Sequence, residues 1–466
     1  MTEFILGIKE LDKLYSRAFS PGSLMVIAGH PGAGKTTFAI TVCYNNSLRG
    51  YRCLYITLQE DKDKLYKNMK RLGMDLEVIE QKGLFNYVKL PITLSIEDIV
   101  REIGKLIHEG KYKVIIIDSI NSLMQGIKND ELKRAWLQNF FYELPRLVNG
   151  LLILVAELPF GEEKLGLGAI EFVADGIFIL KHKVERGLLM RTLEIRKLRG
   201  SPIYVAEIPF TIREEKGLEV YTPPILEKLP REGKELQLPF KTLRKAIDHI
   251  HKGNIVFITY PPDAKSRILS SIFAGIVLAN KLKTLIISHS YNPRLLRELI
   301  KYSLKDIGLS ETSAESIVNK LLVVRALNPF SYSISQLLAR EQHIINSYPD
   351  IDVVVFHGAE LLPYVHMESY LPQLYNQLNY LKSRNVLITI FGAFIDNRWY
   401  NINASLSDVV IRLESVYSEQ GFAKNKLIIW RRWNSAPYVM PQEEIDELLQ
   451  EIKEFVKSRI VGDIFG

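Results

Sequence analysis

Cysteine is scarce in this chain. Cys43 and Cys53 are the only two among 466 residues. That excludes a disulfide scaffold, and their lack of Cys/His ligand spacing excludes a zinc module. Two thiols lying in apolar patterns read as core residues of a protein kept in a reducing compartment, so a cytoplasmic location is expected. No apolar run approaches the ~18 residues of a bilayer span, which excludes a helical membrane protein. The opening Met1-Thr2-Glu3-Phe4-Ile5-Leu6-Gly7 has no basic region followed by a long apolar stretch, so a secretory signal is not expected. Neither charge sign dominates: 60 basic residues face 53 acidic ones, a net +7 that reads as a solvated surface rather than a polyanion-binding one. Apolar content of 47% and charged content of 24% are globular proportions. The length exceeds one ordinary core, and two α/β domains of roughly 200–250 residues each are expected.

Against these absences one stretch stands out: Gly29-His30-Pro31-Gly32-Ala33-Gly34-Lys35-Thr36-Thr37. It lies between an apolar run, Leu24 to Ala28, and an apolar helical pattern, Phe38 to Leu48. Strand, glycine-rich loop and helix form the setting of a phosphate-binding P-loop. Glycines let backbone N–H groups turn toward phosphate oxygens, and the helix directs its positive end at the same anion. Lys35 supplies a mobile charge for the outer phosphates, and Thr36 a hydroxyl for Mg²⁺. All nine residues are candidate nucleotide-binding positions, with ATP and Mg²⁺ as the expected ligands.

Short apolar runs alternate with helical patterns. Val26-Ile27-Ala28, Cys53-Leu54-Tyr55-Ile56, Val114-Ile115-Ile116-Ile117 and Leu151 to Ala156 read as buried parallel strands. Helical patterns fall near 36–49, 61–72, 95–109 and 130–148. Ile177 to Leu180 and Thr192 to Ile195 read as strands pairing at the sheet edge. The fold class is α/β, a doubly wound, mostly parallel sheet flanked by helices. Composition turns polar and proline-bearing over 214–239. The expected organisation is a domain over 1–222, a linker over 223–239 and a second domain over 240–466.

The second half repeats the first. Gly253 to Ile258 stands 231 residues after Gly22 to Ile27, and Lys283 to Ser288 stands 231 after Arg52 to Thr57. Asp352 to His357 mirrors Lys113 to Asp118 at an offset of 239, and Lys426 to Ile429 mirrors Thr192 to Ile195 at 234. A near-constant offset across four strands indicates a tandem duplication of one fold. The copies differ where chemistry belongs. Tyr260-Pro261-Pro262-Asp263-Ala264-Lys265-Ser266 replaces the P-loop with no glycine, a lost N–H donor at each proline and a negative charge at Asp263. His357 replaces Asp118, and Ser288-His289-Ser290 replaces the acidic pair after the second strand. The second domain is therefore expected to keep the scaffold without Walker A or Walker B function.

Three further features complete the first-domain constellation. Asp118 ends an apolar strand, where a carboxylate can hold hydrated Mg²⁺. Gln59-Glu60-Asp61 follow the second strand; Glu60 can orient or deprotonate a water, whereas Asp61 and Asp63 equally suit a helix N-terminus. Lys197-Leu198-Arg199-Gly200 puts two cations on a strand-end turn, a weak signal by itself.

Together these residues resemble the KaiC-like branch of the RecA-type ATPases, known from archaea and cyanobacteria. Gly7-Ile8-Lys9-Glu10-Leu11-Asp12-Lys13-Leu14 is similar to the family's opening motif, which precedes Pro21-Gly22-Ser23. Gly29 to Thr37, Asp118-Ser119, Glu171-Phe172-Val173-Ala174-Asp175-Gly176 and Lys197 to Gly200 follow at the family's spacing. The clear resemblance covers about 4–222, and the second half resembles a decayed second copy. The resemblance implies ring hexamers with ATP between protomers, and makes Lys197 and Arg199 candidates for reaching a neighbour's γ-phosphate. The family usually carries two consecutive glutamates where this chain has Gln59-Glu60. The water-activating first position is thus Gln59, which orients water without taking its proton. By the same alignment Arg432 matches Lys197 and Asn434 replaces Arg199. Autokinase activity and a clock role are not carried over.

The leading expectation is an ATPase with slow Mg²⁺-dependent hydrolysis in the first domain, controlling ring assembly or docking of a regulatory protein. Its candidate catalytic residues are Lys35, Gln59, Glu60, Lys197 and Arg199, with Thr36 and Asp118 at the metal. One alternative is a DNA-binding recombinase paralogue. The loop from Pro159 to Asp175, where such proteins present basic residues, sets Lys164 against Glu162, Glu163, Glu171 and Asp175, and an acidic loop disfavours DNA. The basic-aromatic Trp430-Arg431-Arg432-Trp433 reads better as a strand end. Another alternative is a non-hydrolysing nucleotide-sensing scaffold.

Overall fold

The computed structural model describes residues 3–15, 18–91, 96–124, 139–159, 170–185, 187–203, 205–220, 233–263, 267–417, 423–432 and 436–460. The chain divides into two compact units, Met1–Thr222 and Pro223–Gly466. Residues 130–138 of the 130–148 helical pattern, the centre of the 159–175 loop, and the residues Ala264, Lys265, Ser266, Trp433 and Asn434 lie outside the described residues.

In the first unit the strands are β1 (Ser23–Gly29), β2 (Cys53–Thr57), β3 (Phe85–Lys89), β4 (Val114–Asp118), β5 (Leu151–Glu157), β6 (Gly176–Glu185), β7 (Leu188–Leu198), β8 (Glu207–Arg213) and β9 (Gly217–Val220). They form one sheet in the order β3-β2-β4-β5-β1-β6-β7-β8-β9. The six from β3 to β6 run parallel, and β7, β8 and β9 continue antiparallel. All seven residues of β1 are buried, as a central strand covered on both faces requires. Helix Lys35–Leu48 packs on one face with Phe38, Ile40 and Val42, and Ile99, Ile103, Phe141 and Leu144 fill the other. The strand at Ile177 to Leu180 is internal rather than marginal, because β7 to β9 extend the sheet beyond it. Both cysteines are buried and free. No helix among the described residues is long and apolar enough to cross a membrane.

The second unit has a small two-stranded antiparallel sheet, β10 (Glu235–Leu236) against β11 (Ile250–His251), with helix Lys241–Ile247 between the strands. Leu236 and Leu238 are buried in that unit's core, so the expected linker is too long: its end already belongs to the fold. Strands β12 (Ile255–Tyr260), β13 (Thr284–Ser288), β14 (Leu322–Ala326), β15 (Val353–His357), β16 (Leu387–Ala393), β17 (Val409–Tyr417), β18 (Ala423–Arg431) and β19 (Tyr438–Met440) follow. Their order, β14-β13-β15-β16-β12-β17-β18-β19, reproduces that of the first unit strand for strand from β3 to β8. Both units are thus RecA-like α/β sheets, as the repeat implied.

One feature of the alignment is corrected by the ladders. In the first unit Ile177 pairs with Lys197 but Phe178 pairs with Ile195, so Arg196 is an extra, bulged residue. The ladder of β17 with β18 runs from Val409–Arg431 to Tyr417–Ala423 with no such interruption. The sequence offset that relates Ile195 to Ile429 therefore falls by one beyond the bulge. Trp430 stands in the place of Lys197, and Arg432 in the place of Arg199 rather than of Lys197. The backbone agrees: Arg199 N donates to Asp175 O at 2.7 Å, and Arg432 N to Asp408 O at 3.0 Å.

Candidate nucleotide site

The P-loop leaves the carboxyl end of β1, where ligands bind in open parallel sheets. Ala33 N donates to the His30 carbonyl at 3.1 Å, closing the turn, and Phe38 N to the Gly34 carbonyl at 2.9 Å, opening the helix. Two glycines are required sterically. A Cβ on Gly29 would lie 2.3 Å from the Leu180 carbonyl oxygen of the adjoining strand. Gly34 caps the helix at φ +105°, where L side chains are strained, and a Cβ there would meet Ile212 Cδ1 at 2.6 Å. Pro31 and Gly32 are exposed at the tip, and Ala33 and Thr37 are buried beneath it.

Lys35 Nζ donates to the His30 carbonyl at 3.1 Å, folded back over the loop. Burial holds its ammonium below the ordinary lysine range, opposed by the charges of Glu157 and Asp118. Thr36 Oγ1 donates to Asp118 Oδ2 at 2.7 Å, and Tyr55 Oη to the same oxygen at 3.0 Å. Burial raises the Asp118 carboxyl above its usual range, against those two hydrogen bonds and Lys35. The Asp118–Ser119 peptide is cis. A hydroxyl and a carboxylate in contact beside a desolvated lysine fit a Mg²⁺–nucleotide, whose cation keeps several waters and shares phosphate oxygens. Among the described residues no group of three or more His, Cys, Asp or Glu side chains could hold a metal alone.

The turn after β2 separates its polar residues by role. Thr57 Oγ1 accepts from the backbone N–H groups of Gln59 and Glu60, at 3.2 and 3.1 Å. Gln59 is exposed and its Nε2 donates to Ser122 Oγ at 3.1 Å. Glu60 is half-buried, and its charge is felt by both Asp118 and Tyr55. Asp61 caps helix Lys62–Arg71 by accepting from Lys64 N at 3.2 Å. Glu60 is therefore the carboxylate of this turn that bears on the metal position, and Asp61 serves the helix.

Lys197 and Arg199 are not beside this P-loop. Lys197 lies level with Ile177, which pairs with Val26, and Arg199 is level with Asp175 and Leu24. Gly29 is five residues beyond Leu24 and three beyond Val26 along β1, roughly 16 and 10 Å at strand rise. Lys197 Nζ donates to the carbonyls of Glu171 (2.8 Å) and Phe172 (3.1 Å), and Arg199 donates to that of Phe172 and pairs with Asp175 at 3.5 Å. Both cations therefore sit at the edge of the sheet opposite their own P-loop.

Sequence reasoning missed four residues here. Glu157 ends β5 in register with Gly29, its backbone N held by Asn121 Oδ1 at 2.7 Å. An acid closing an apolar strand is the signal that picked out Asp118, and it applies equally to Glu157. Tyr55 looked like one more apolar strand residue, yet its hydroxyl reaches Asp118. His182 and Arg191 face each other across β6 and β7, and the His182 ring meets that of His30 edge-on at 6.0 Å. Burial, with the nearby His30, Arg191 and Lys35, keeps the His182 imidazole below its ordinary range.

In the second unit the corresponding place is aromatic. His357 ends β15 as Asp118 ends β4, with Ser288 Oγ and Ser290 Oγ at 3.1 and 3.3 Å from its Nδ1. The Tyr291 ring lies 5.2 Å from that of His357.

Replacing Asp118 by Asn is expected to separate stability from chemistry. It removes a buried charge that the fold tolerates poorly, so the nucleotide-free protein should gain about 1 kcal/mol in denaturant unfolding. Mg²⁺-dependent phosphate release should fall at least about 100-fold.

A family profile described as "ATPase: KaiC" matches residues 5–225. The circadian clock oscillator protein KaiC of a Picosynechococcus species is 26% identical over 217 residues, which cover 46% of this chain and 40% of that protein. A UPF0273 protein of Pyrococcus horikoshii is 26% identical over 252 residues, 50% of this chain and 97% of the relative. A UPF0273 protein of Thermotoga maritima is 27% identical over 235 residues, 46% of this chain and 94% of the relative. The chain thus spans about two-fifths of the KaiC protein but nearly all of the shorter relatives. With its P-loop, its Thr36–Asp118 contact and this match, the first unit belongs to the KaiC-like ATPases of the RecA superfamily.

Proposed function

We propose that the first unit binds ATP with Mg²⁺ and hydrolyses it slowly at a site completed by a second copy of the chain, and that occupancy of the site controls assembly. The observation that carries this reading is the separation of the two halves of the machinery. Lys35, Thr36 and Asp118 converge at one edge of the sheet, while Lys197 and Arg199 lie at the other, too far to serve the same nucleotide. A cation at the opposite edge reaches a γ-phosphate only when a neighbour presents it, as in a ring.

Within the site each group has one task. The loop N–H groups and Lys35 hold the phosphates, and Lys35 gives up its bond to the His30 carbonyl to do so. Thr36 and Asp118 would hold a Mg²⁺, which when bound would offset the negative charge of the phosphate oxygens. Glu60 orients the attacking water, with Gln59 and Ser122 bounding that turn. Arg199 and Lys197 of the neighbour stabilise the transferring group. Because Gln59 cannot accept a proton, turnover is expected to be slow. The second unit serves as scaffold, since Tyr260 and His357 stand where phosphate and cation would need Gly29 and Asp118.

Native mass measurement with and without ATP–Mg²⁺, run alongside phosphate release, tests this reading. A ring-sized assembly that needs ATP–Mg²⁺ and releases phosphate slowly is expected. A chain that stays monomeric under saturating ATP while turning over would contradict it.

A further inference from the structure

The second unit contains a cavity of about 260 Å³ directly beside the place a nucleotide would have taken. It opens to solvent on one side, the concave and mostly apolar form that small-molecule sites take. A smaller apolar cavity, of about 150 Å³, is enough to take up benzene. Here the walls are aliphatic: Val277 comes from helix Arg267–Ala279, Leu296 and Ile300 from helix Pro293–Asp306, and Ile317 and Leu321 from helix Glu311–Leu321.

Tyr260, Tyr291 and His357 supply one polar end, from the carboxyl ends of β12 and β15 and the turn after β13, while Ser270, Thr284 and Ser303 add hydroxyls elsewhere in the lining. His357 is anchored by Ser288 and Ser290 on Nδ1, which fixes the ring against the cavity. Burial holds the Tyr260 hydroxyl well above its ordinary pKa, so it stays protonated and remains a hydrogen-bond donor. Arg267, paired with Asp306 at 3.3 Å, stands at the same helix start.

We propose that this cavity is a ligand site for a small amphiphile, an aliphatic chain carrying a single hydroxyl or carboxyl head. The chain lies among the helices and the head meets Tyr260, Tyr291 and His357. This site adjoins the place that the nucleotide site occupies in the first unit, and its chemistry is inverted: aromatic and aliphatic where the other is glycine, lysine and carboxylate. The inference does not depend on hydrolysis in the first unit.

Titration calorimetry of the full chain with decanol and with decanoate tests it, together with thermal unfolding at rising ligand. One molecule bound per chain, with a dose-dependent rise in the unfolding midpoint, is expected for at least one of the two. Val277→Phe and Ile300→Phe each place a ring inside the cavity, and either folded variant should bind at least ~10-fold more weakly. A preference for decanoate would assign Arg267 to the head group, and equal binding would assign the uncharged donors; both uphold the site. No binding of either compound to the wild-type chain overturns the proposal, as does binding that a folded, filled variant retains in full.

Discussion

Replacing Arg199 by Ala is expected to cut ATP-dependent phosphate release by roughly 10³-fold, the scale on which a supplied arginine acts in phosphoryl transfer. Nucleotide affinity should change far less, because phosphate binding rests on the loop N–H groups and Lys35. The fold should survive as well. The side chain is exposed and its ion pair with Asp175 spans 3.5 Å, a contact worth little in water. The tie between Asp175 and β1 does not need Arg199: Asp175 Oδ2 accepts from Leu24 N at 2.9 Å, and Asp175 N donates to Leu24 O at 2.8 Å. Turnover measured at saturating ATP, with the thermal unfolding midpoint as a control, checks both parts.

Replacing Lys35 by Ala is expected to abolish nucleotide binding, weakening it by at least about 100-fold, the loss of a charge-assisted contact to phosphate in a partly buried site. The variant also counts sites. The second unit offers Tyr260 and Asp263 where the first has Gly29 and Gly32, so the wild-type chain should bind one ATP per chain and Lys35→Ala none. Equilibrium titration with a fluorescent ATP analogue gives both numbers. Retention of one nucleotide per variant chain would assign a working site to the second unit.

The parts of this arrangement that could be read from sequence are those written in continuous or repeated patterns. Strands β1, β2, β4 and β5 are uninterrupted apolar runs because they are buried on both faces, and the P-loop has a fixed local geometry. The tandem repeat was visible because four such runs recur at similar spacing. What escaped depends on pairing. Strand β3 is an edge strand of mostly half-buried residues, which leaves a faint signal. The bulge at Arg196 changes the register by one, and no local pattern announces it; Arg432, aligned with Lys197, stands two residues on in the place of Arg199, and the bulge accounts for one of those two. Glu157 enters the site only because β5 lies beside β1. Tyr55 and His182 look like ordinary strand residues until the sheet aligns them with Asp118 and His30. The division of Gln59, Glu60 and Asp61 into a turn residue, a site carboxylate and a helix cap likewise needs the hydrogen bonds, not the residue types.

The central claim is that one chain supplies the phosphate-holding edge and another supplies Arg199. Mixing Asp118→Asn with Arg199→Ala chains tests it most directly. Each alone should be nearly inactive. In mixed assemblies, an Arg199→Ala chain keeps its own Lys35, Thr36 and Asp118, and an Asp118→Asn neighbour presents an intact Arg199. Phosphate release is expected to recover to a substantial fraction of the wild-type rate as the two are combined. Mixed assemblies confirmed by native mass that release phosphate no faster than either variant alone would contradict the account.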